Sequence, residues 1–403
     1  MGTVIGMKNS RLLLVFLCLG LSACASVVRN PVPEADHMNV TVLDRTDLRQ
    51  WGDRTNLRIM PHMLSAEDLE ARFGGIMHRE HNYLVVSGGG ANGAYGAGVL
   101  VAWTKLGTRP EFTLVTGVST GALTAPFAFL GSEYDAKLQE IYSTLDTQQI
   151  IDMRNVFAIA SSDSVFDSSP LSRLIEKFID DEMIQSLARE YHKGRTLMIG
   201  TTNLDASRPV VWNITRIAAS GHPLAAKLIH QVLLASASIP GAFPPVYIEV
   251  ETPDGRKYDE MHVDGGVTSQ MFLYPVNMDW GEIIEALDVK GAPTIYVIRN
   301  AFAHEDYKVV SPRLIPITDR TISSLIRTQG VGDFFRIWTL ADRDGLDLEV
   351  TWIPDEAREE IGVKPSEVFD PKYMKALFEY GYQRTIDKGV WQDFSKMVDD
   401  ARK

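Results

Sequence analysis

The chain has 403 residues, of which 45% are hydrophobic and 23% are charged. This composition is typical of a folded globular protein, and it excludes a disordered chain and a collagen-like chain. The formal net charge of −12 argues against binding nucleic acid through a basic face, so no nucleic-acid partner is expected.

The N-terminus has the pattern of a secretory signal peptide. Lys8 and Arg11 precede an apolar run over residues 12–21, and small residues follow it. The run is short for a transmembrane helix, which needs about 20 apolar residues. Its end, Leu21-Ser22-Ala23-Cys24, resembles a bacterial lipobox. We therefore expect residues 1–23 to be removed as a signal peptide and Cys24 to become the lipidated first residue.

This lipobox resemblance implies diacylglycerol on the Cys24 sulfur and a membrane anchor, because two or more acyl chains hold a protein stably on a bilayer. Cys18 would leave with the signal, so the mature chain would have no second cysteine for a disulfide. Ala25 and Ser26 follow Cys24, and neither is the aspartate that tends to retain similar lipoproteins in the inner membrane. The expected location is the bacterial cell envelope, on the outer membrane and facing the periplasm.

The remaining chain is predicted to alternate strands and helices. Residues 24–80 are polar, with several prolines, and are predicted to be the lipidated N-terminus, a tether and an irregular segment. Strands are predicted at 83–86, 112–116, 196–201, 210–214, 294–298 and 349–353. Helices are predicted at 94–106, 120–130 and 225–237, and over most of the chain from 318 onward.

This alternation predicts an α/β fold of three layers, with a mainly parallel central sheet flanked by helices. We assign residues 81–300 to a catalytic domain. Residues 301–403 are predicted to be a mostly helical C-terminal extension that packs on the same domain.

A glycine-rich loop, Gly88-Gly89-Gly90-Ala91-Asn92-Gly93, lies between the first predicted strand and helix. Such a loop can direct several backbone N–H groups at a negative oxygen, helped by the positive end of the helix dipole. Its glycine spacing also fits a dinucleotide-binding fingerprint. That alternative needs an acidic residue at the end of the second strand, to bind a ribose. The second strand instead runs into Gly117-Val118-Ser119.

Gly117-Val118-Ser119-Thr120-Gly121 has the G-x-S-x-G pattern between a strand and a helix. This is the context of a nucleophile elbow, in which glycines permit a sharp turn that presents the serine hydroxyl. Ser119 is therefore the candidate nucleophile. The alternative is a glycine-rich turn with a passive serine.

A nucleophilic serine needs a base to accept its proton. Asp264 in Asp264-Gly265-Gly266 is a candidate, although Asp-Gly is also a common turn signal. The ordinary pKa of aspartate, about 3.9, is poor for a base at neutral pH, so this role requires burial to raise the pKa.

Together these motifs resemble those of the patatin-like phospholipases, which have a glycine-rich oxyanion loop, a G-x-S-x-G serine and a D-G-G or D-G-A aspartate in this order. Three further stretches look like the family, at residues 167–171, 201–204 and 235–245. The resemblance covers roughly residues 82–300.

The resemblance implies a Ser–Asp dyad without histidine, in which Ser119 is the nucleophile and Asp264 the general base. It implies that the loop containing Gly88, Gly89, Gly90 and Gly93 stabilises the oxyanion. Gly117 and Gly121 of the elbow, and Gly265 and Gly266 after the aspartate, belong to the same motifs, and Gly121 and Gly266 would serve geometry. The implied activity is hydrolysis of acyl esters in membrane phospholipids or lysophospholipids, without a cofactor.

The sequence departs from the family at Asn92, where an arginine or lysine is usual. This neutral residue puts the rate and the substrate headgroup in doubt.

Two histidines leave a Ser–His–Asp alternative open: His304, which lies after Asp264 as in α/β-hydrolases, and His262. An esterase for other acyl esters, and a catalytically silent lipid-binding or partner-binding lipoprotein, are further alternatives. No pattern of metal ligands appears, so no metal is expected.

Overall fold

The computed structural model describes residues 29–54, 60–144, 150, 152–153, 164–304, 307, 309–366 and 369–394. These residues form the predicted three-layer α/β fold, with helices on both faces of a central sheet. The predicted signal peptide and Cys24 lie outside the described residues. No helix in the described part is both long and apolar enough to cross a membrane.

The strands follow in chain order. They are β1 (Arg49–Trp51), β2 (Asn82–Val86), β3 (Leu114–Val118), β4 (Asp152–Met153), β5 (Phe166–Asp167), β6 (Thr196–Asn203), β7 (Arg208–Asn213), β8 (Val246–Glu251), β9 (Lys257–Asp264), β10 (Thr294–Phe302) and β11 (Asp347–Ile353). Within the described ranges, β4 and β5 form a separate two-stranded sheet and the others form one sheet of nine strands.

Five parallel strands form the centre of the large sheet, in the order β6-β3-β2-β10-β11. Their apolar residues are buried on both faces, as is usual for parallel strands covered by helices. In β2, Leu84 and Val86 belong to the core on one side, and Tyr83 and Val85 belong to a second core on the other. These two cores are the contacts between the three layers.

The sheet is more mixed than predicted, because β1, β7, β8 and β9 all pair in antiparallel fashion. The segment predicted at 210–214 is β7, which turns back along β6 after a short loop. β9 also pairs with β6, and this pairing sets Asp264 opposite Thr201. The aspartate is thereby placed at the same sheet edge as the end of β3.

The helices also follow in chain order. They are α1 (Ala66–Phe73), α2 (Gly93–Lys105), α3 (Thr120–Leu130), α4 (Asp135–Thr144), α5 (Ser169–Phe178), α6 (Asp181–His192), α7 (Ile214–Ala218), α8 (Ala225–Ser236), α9 (Trp280–Ala286), α10 (Leu314–Asp344), α11 (Ala357–Glu360) and α12 (Pro371–Lys388). α3 has the bounds predicted from the sequence, and α2 is shifted by one residue.

The C-terminal part of the chain continues the same structure. β10 runs through position 300, β11 pairs with it, and α12 packs against α2 through Leu377 and Phe378 of the first core. Residues 24–80 were predicted to be a tether and an irregular segment. The described part of this segment contains β1 and α1. It buries Val42 and Leu48 against the first core. These isolated apolar residues lack the periodic spacing that predicts an element from sequence.

Candidate active site

Ser119 lies in a sharp turn between the end of β3 and the start of α3. Its φ of +56° is in a region that non-glycine residues rarely adopt, which marks a strained turn. Gly121 permits this turn, because a Cβ added there would lie 2.2 Å from the carbonyl oxygen of Val86. The predicted elbow is therefore present, with Gly117 as the fourth residue of β3.

A buried serine supports the strained residue from α8. Ser236 Oγ accepts a hydrogen bond from the backbone N–H of Ser119 at 3.0 Å and donates one to the carbonyl oxygen of Gly200 at 2.7 Å. Ser236 is fully buried, so losing its hydroxyl would leave a buried N–H without an acceptor. Residues 235–245 contribute to the family resemblance, but nothing in the sequence indicated this role for Ser236.

Asp264 ends β9 and contacts the hydroxyl of Ser119 directly. Ser119 Oγ donates to Asp264 Oδ2 at 2.6 Å, and the N–H of Gly266 donates to Oδ1 at 2.7 Å. Gly265 and Gly266 begin the short 3₁₀ turn Gly265–Val267. Burial raises the pKa of Asp264 to about 7, and the hydrogen bonds from Ser119 and Gly266 oppose this rise. The carboxyl group can therefore exchange a proton near neutral pH.

The glycine loop lies beside this pair, between β2 and α2. Gly90 has a φ of +55° and begins a 3₁₀ turn that leads into Gly93, the first residue of α2. The N–H of Gly88 is engaged by the carbonyl oxygen of Gln270 at 3.1 Å. Within the described residues, the N–H groups of Gly89 and Gly90 have no protein acceptor. These two groups are available to an oxyanion, and Gly88 serves to fix the loop.

Asn92, the departure from the family pattern, contacts the C-terminal part of the chain. Its Oδ1 accepts a hydrogen bond from the hydroxyl of Tyr373 at 2.7 Å. Tyr373 lies in the first turn of α12, which begins after Asp370. The neutral amide therefore ties the glycine loop to α12, a role that its position in the sequence did not reveal.

Neither alternative histidine lies between Ser119 and Asp264. His262 is buried, with Nδ1 3.0 Å from Thr201 Oγ1 and Nε2 3.1 Å from Glu260 Oε2. His304 Nδ1 is paired with Asp355. Because Ser119 and Asp264 bond each other directly, the geometry differs from a Ser–His–Asp triad, in which the histidine bridges the other two residues.

Comparison with known proteins identifies the domain. The family model described as "Patatin-like phospholipase" matches residues 84–276. Residues 84–276 form a patatin-like phospholipase domain. The match assigns lipid acyl hydrolase activity to this domain. A comparison with curated protein sequences gave no significant match.

Two solved structures are similar at low identity. VipD from Legionella pneumophila is 15% identical, with a TM-score of 0.39, over 80% of this chain and 67% of VipD. ExoU from the type III secretion system of Pseudomonas aeruginosa, solved in complex with SpcU, is 15% identical, with a TM-score of 0.30. That match covers 76% of this chain and 54% of ExoU, so this chain spans about half of the ExoU chain. The assignment of the domain rests on the family model.

Two cavities meet at Ser119. One is a narrow apolar cavity of about 80 Å³, which Gly90 also lines. Its apolar walls include Leu123, Phe127, Leu171, Ile175, Phe178 and Met374. The second, of about 410 Å³, is lined by Asp264, the glycine loop and four arginines, and is called the polar cavity below because of these charged side chains. A larger cavity of about 770 Å³ lies against the second core and includes neither Ser119 nor Asp264, so we do not assign it to the reaction.

Sequence motifs named Ser119 and Asp264 as candidates, but no motif named the residues that hold them. Gln270, Asn300 and Asp333 position the glycine loop or the turn after Asp264, and none lies in a motif. Asn300 Nδ2 donates to the carbonyl oxygen of Ser87 at 3.0 Å, and Oδ1 accepts from the N–H of Gly96 at 3.1 Å. In the part of the chain that the structure describes, no group of three or more His, Cys, Asp or Glu residues could hold a metal ion.

Proposed function

We propose that Ser119 and Asp264 form a catalytic dyad that cleaves carboxylic ester bonds of phospholipids or lysophospholipids. The observation that carries this proposal is the 2.6 Å hydrogen bond from Ser119 Oγ to the buried carboxyl group of Asp264. The strained turn at Ser119 and the N–H groups of Gly89 and Gly90 support it, because both occur where a tetrahedral oxyanion would form.

In the proposed acylation step, Ser119 Oγ attacks the ester carbonyl carbon and its proton passes to the Asp264 carboxylate. The carbonyl oxygen becomes an oxyanion near the N–H groups of Gly89 and Gly90. The N-termini of α2 and α3 add a favourable potential. When the intermediate collapses, the bond from carbon to the alkoxy oxygen breaks, and Asp264 returns its proton to the leaving alcohol. Acyl-Ser119 remains.

In the proposed deacylation step, water enters where the alcohol has left. Asp264 takes a proton from this water as it attacks the acyl carbon, a second oxyanion forms, and the Ser119 oxygen leaves with that proton. The fatty acid is released and the resting pair is restored. A carboxyl group with a pKa of about 7 suits this work, since the best catalytic pKa lies near the operating pH.

The two cavities suggest how the substrate lies. We propose that the acyl chain enters the apolar cavity past Leu123 and Phe127, and that the alcohol part occupies the polar cavity. The apolar cavity, at about 80 Å³, is smaller than typical ligand pockets of roughly 300–1,000 Å³. A long acyl chain must therefore displace side chains along it.

The test is fatty-acid release from mixed phospholipid vesicles by the mature protein and by Ser119→Ala and Asp264→Asn. We expect the rate of fatty-acid release to fall by about 10⁴-fold or more in both variants, because removing one member of a catalytic unit costs nearly as much as removing the whole unit. Ser172→Ala, which alters a partly exposed serine on α5, is the matched control and should retain full activity. Folded variants that keep substantial activity would refute the dyad. Cleavage of short-chain esters but not of vesicles by the unaltered protein would refute the substrate class.

We also propose that Cys24 carries the lipid that anchors the enzyme, on the outer membrane and facing the periplasm. Cys24 lies outside the described residues, so the proposal is supported by the apolar run and the lipobox-like sequence alone. An anchor would keep the active site close to its lipid substrate.

A further inference from the structure

The polar cavity next to Ser119 contains a concentration of positive charge. Four arginines line it: Arg299, Arg320, Arg327 and Arg358. Among its described lining residues, Asp264 is the single acid. The protein as a whole carries a net charge of −12, so this cluster is not a consequence of composition. An excess of guanidinium groups around a cavity favours an anionic occupant.

Arg299 gives the strongest evidence for such an occupant. It lies in β10 and is only 1% exposed, and its Nη1 donates to the carbonyl oxygen of Phe302 at 3.0 Å. Within the described ranges, no carboxylate lies at ion-pair distance from it. A buried cation without a paired anion is costly, so such a group usually has a partner when the protein functions. Burial and the neighbouring Arg327 lower the pKa of Arg299 to about 10, and the charge of Asp355 opposes this fall from beyond ion-pair distance. Arg299 is therefore charged at neutral pH.

Arg358 on α11 supplies a second guanidinium at the same cavity. Its Cζ lies 3.8 Å from the centroid of the Phe302 ring, and its Nη2 donates to the carbonyl oxygen of His304 at 2.6 Å. The same Nη2 lies 3.5 Å from Asp355 Oδ1, its ion-pair partner. Stacking on the ring fixes the plane of the guanidinium, whose remaining donors suit a phosphate or carboxylate group.

We propose that Arg299 and Arg358 bind the phosphate group of the substrate headgroup and make the enzyme prefer anionic phospholipids to zwitterionic ones. The inference rests on the proposed function, since it places the headgroup in the cavity that would receive the leaving alcohol. The guanidinium groups attract the phosphate of either lipid class. An ammonium group on a zwitterionic headgroup would meet the same positive cavity and be disfavoured.

The test uses mixed vesicles that contain equal amounts of phosphatidylglycerol and phosphatidylethanolamine. Both lipids then share one surface, so the ratio of their lysolipid products, measured by mass spectrometry, reports selectivity at the site and not attraction to the membrane. We expect roughly tenfold faster cleavage of phosphatidylglycerol. Both lipids offer a phosphate, but phosphatidylethanolamine also brings an ammonium group to the positive cavity, and repulsion between like charges near a protein surface is worth about one such factor. Arg358→Gln should reduce the ratio toward one.

Three further variants make the test specific. Arg299→Gln should also reduce the ratio, and Arg299→Lys, which retains the charge, should restore part of it. Arg256→Gln, which removes an exposed arginine from the turn between β8 and β9, changes the net charge equally and should leave the ratio unchanged. Because Arg299 is buried, its variants could fail to fold. Arg358 is partly exposed and tests the inference by itself.

A neutral soluble ester, p-nitrophenyl butyrate, separates this inference from the proposed function. Arg256→Gln should cleave it at the unaltered rate, and Arg358→Gln should lose less activity on it than on phosphatidylglycerol. Inorganic phosphate should inhibit the unaltered protein more strongly than Arg358→Gln. Equal cleavage of both phospholipids, or a ratio that Arg358→Gln leaves unchanged, overturns the inference while the proposed function stands. Inhibition by phosphate without any headgroup preference would identify a site for free phosphate and also overturns it. A protein that cleaves only the soluble ester overturns both proposals.

Discussion

The carboxyl group of Asp264 is buried between β9 and the turn that carries Ser119, where it accepts two hydrogen bonds. The burial that raises its pKa to about 7 favours the proposed proton transfer but opposes folding. The folded protein holds this proton up to about pH 7, whereas the unfolded chain releases it near pH 4. Stability from this group is therefore greatest at low pH and is lost as pH rises from about 4 to 7.

Asp264→Asn should consequently stabilise the protein, and more so at higher pH. Its gain in stability over the unaltered protein, measured as an increase in the free energy of unfolding, should be roughly 2–3 kcal/mol larger at pH 8 than at pH 5, given the size of the pKa shift. Urea denaturation at the two pH values measures this difference. Asp254→Asn is the control. The pKa of this exposed aspartate is lowered, so its carboxyl group stays ionised at both pH values. A difference that does not change with pH would show that Asp264 does not have a raised pKa.

The candidate reacting residues could be proposed from sequence because the turns that carry them impose local patterns. The elbow at Ser119 needs glycine at position 121, and the glycine loop needs a positive φ at Gly90. Both turns can therefore be predicted from the positions of glycines in the sequence. The tie between Asn92 and Tyr373 joins residues 281 positions apart and depends only on the fold. No local sequence pattern indicates a contact between such distant residues. The hydrogen bond from Tyr373 to Asn92 could therefore not be predicted.

At the level of elements, α10 holds the active site from outside the matched family region. Asp333 Oδ2 accepts from Ser269 Oγ at 3.2 Å and from the N–H of Gln270 at 2.6 Å. The carbonyl oxygen of Gln270 accepts from the N–H of Gly88, and its Nε2 donates to the carbonyl oxygen of Gly266 at 3.1 Å. Asp333 thus positions both the glycine loop and the turn after Asp264.

Removing this support should slow the reaction without preventing folding. For Asp333→Ala we expect kcat on a soluble ester to fall by up to about 10²-fold, because small displacements of reacting groups are costly. KM should change little. Asp333→Asn retains a hydrogen-bond acceptor, so its kcat should lie between those of the unaltered protein and Asp333→Ala. Arg336→Gln removes only an exposed ion-pair partner of Asp333 and should have a small effect. If the loss in kcat matched the unfolded fraction measured by circular dichroism, Asp333 would be only structural.

The elements best predicted were those with apolar runs or glycine boundaries, such as β2 and α3. β9 was not predicted as a whole strand, because its sequence, Lys-Tyr-Asp-Glu-Met-His-Val-Asp, is largely polar and its position depends on pairing with β6 and β8. A largely polar antiparallel strand has no apolar run, so the apolar-run criterion does not predict it. This is why the sheet was predicted to be mainly parallel and proved mixed.

For the whole molecule, the structure links the matched region to the rest of the chain. β11 extends the sheet, and Leu377 and Phe378 of α12 complete the first core. Asp264 and the glycine loop, which line the polar cavity, lie within residues 84–276, whereas its four arginines all lie after residue 298. The family resemblance therefore predicted the proposed chemistry, whereas the residues proposed to select the substrate come from a part of the chain that carries little resemblance.

The membrane anchor is a further prediction for the whole protein. The unaltered protein should stay with the membrane fraction during alkaline carbonate extraction, because its acyl chains insert into the bilayer. Cys24→Ser should be released to the soluble fraction. Cys18→Ser is the matched control, since Cys18 is expected to leave with the signal peptide. Release of the unaltered protein, or retention of Cys24→Ser, would contradict lipidation at Cys24.

The most direct test of the Ser119–Asp264 pair is the pH dependence of labelling by a fluorophosphonate, with the labelled peptide identified by mass spectrometry. We predict that Ser119 is labelled, at a rate that rises about tenfold per pH unit below pH 7 and levels off above it. Asp264→Asn should label far more slowly at every pH. Labelling at another residue, or equally fast labelling of Asp264→Asn, would contradict the account.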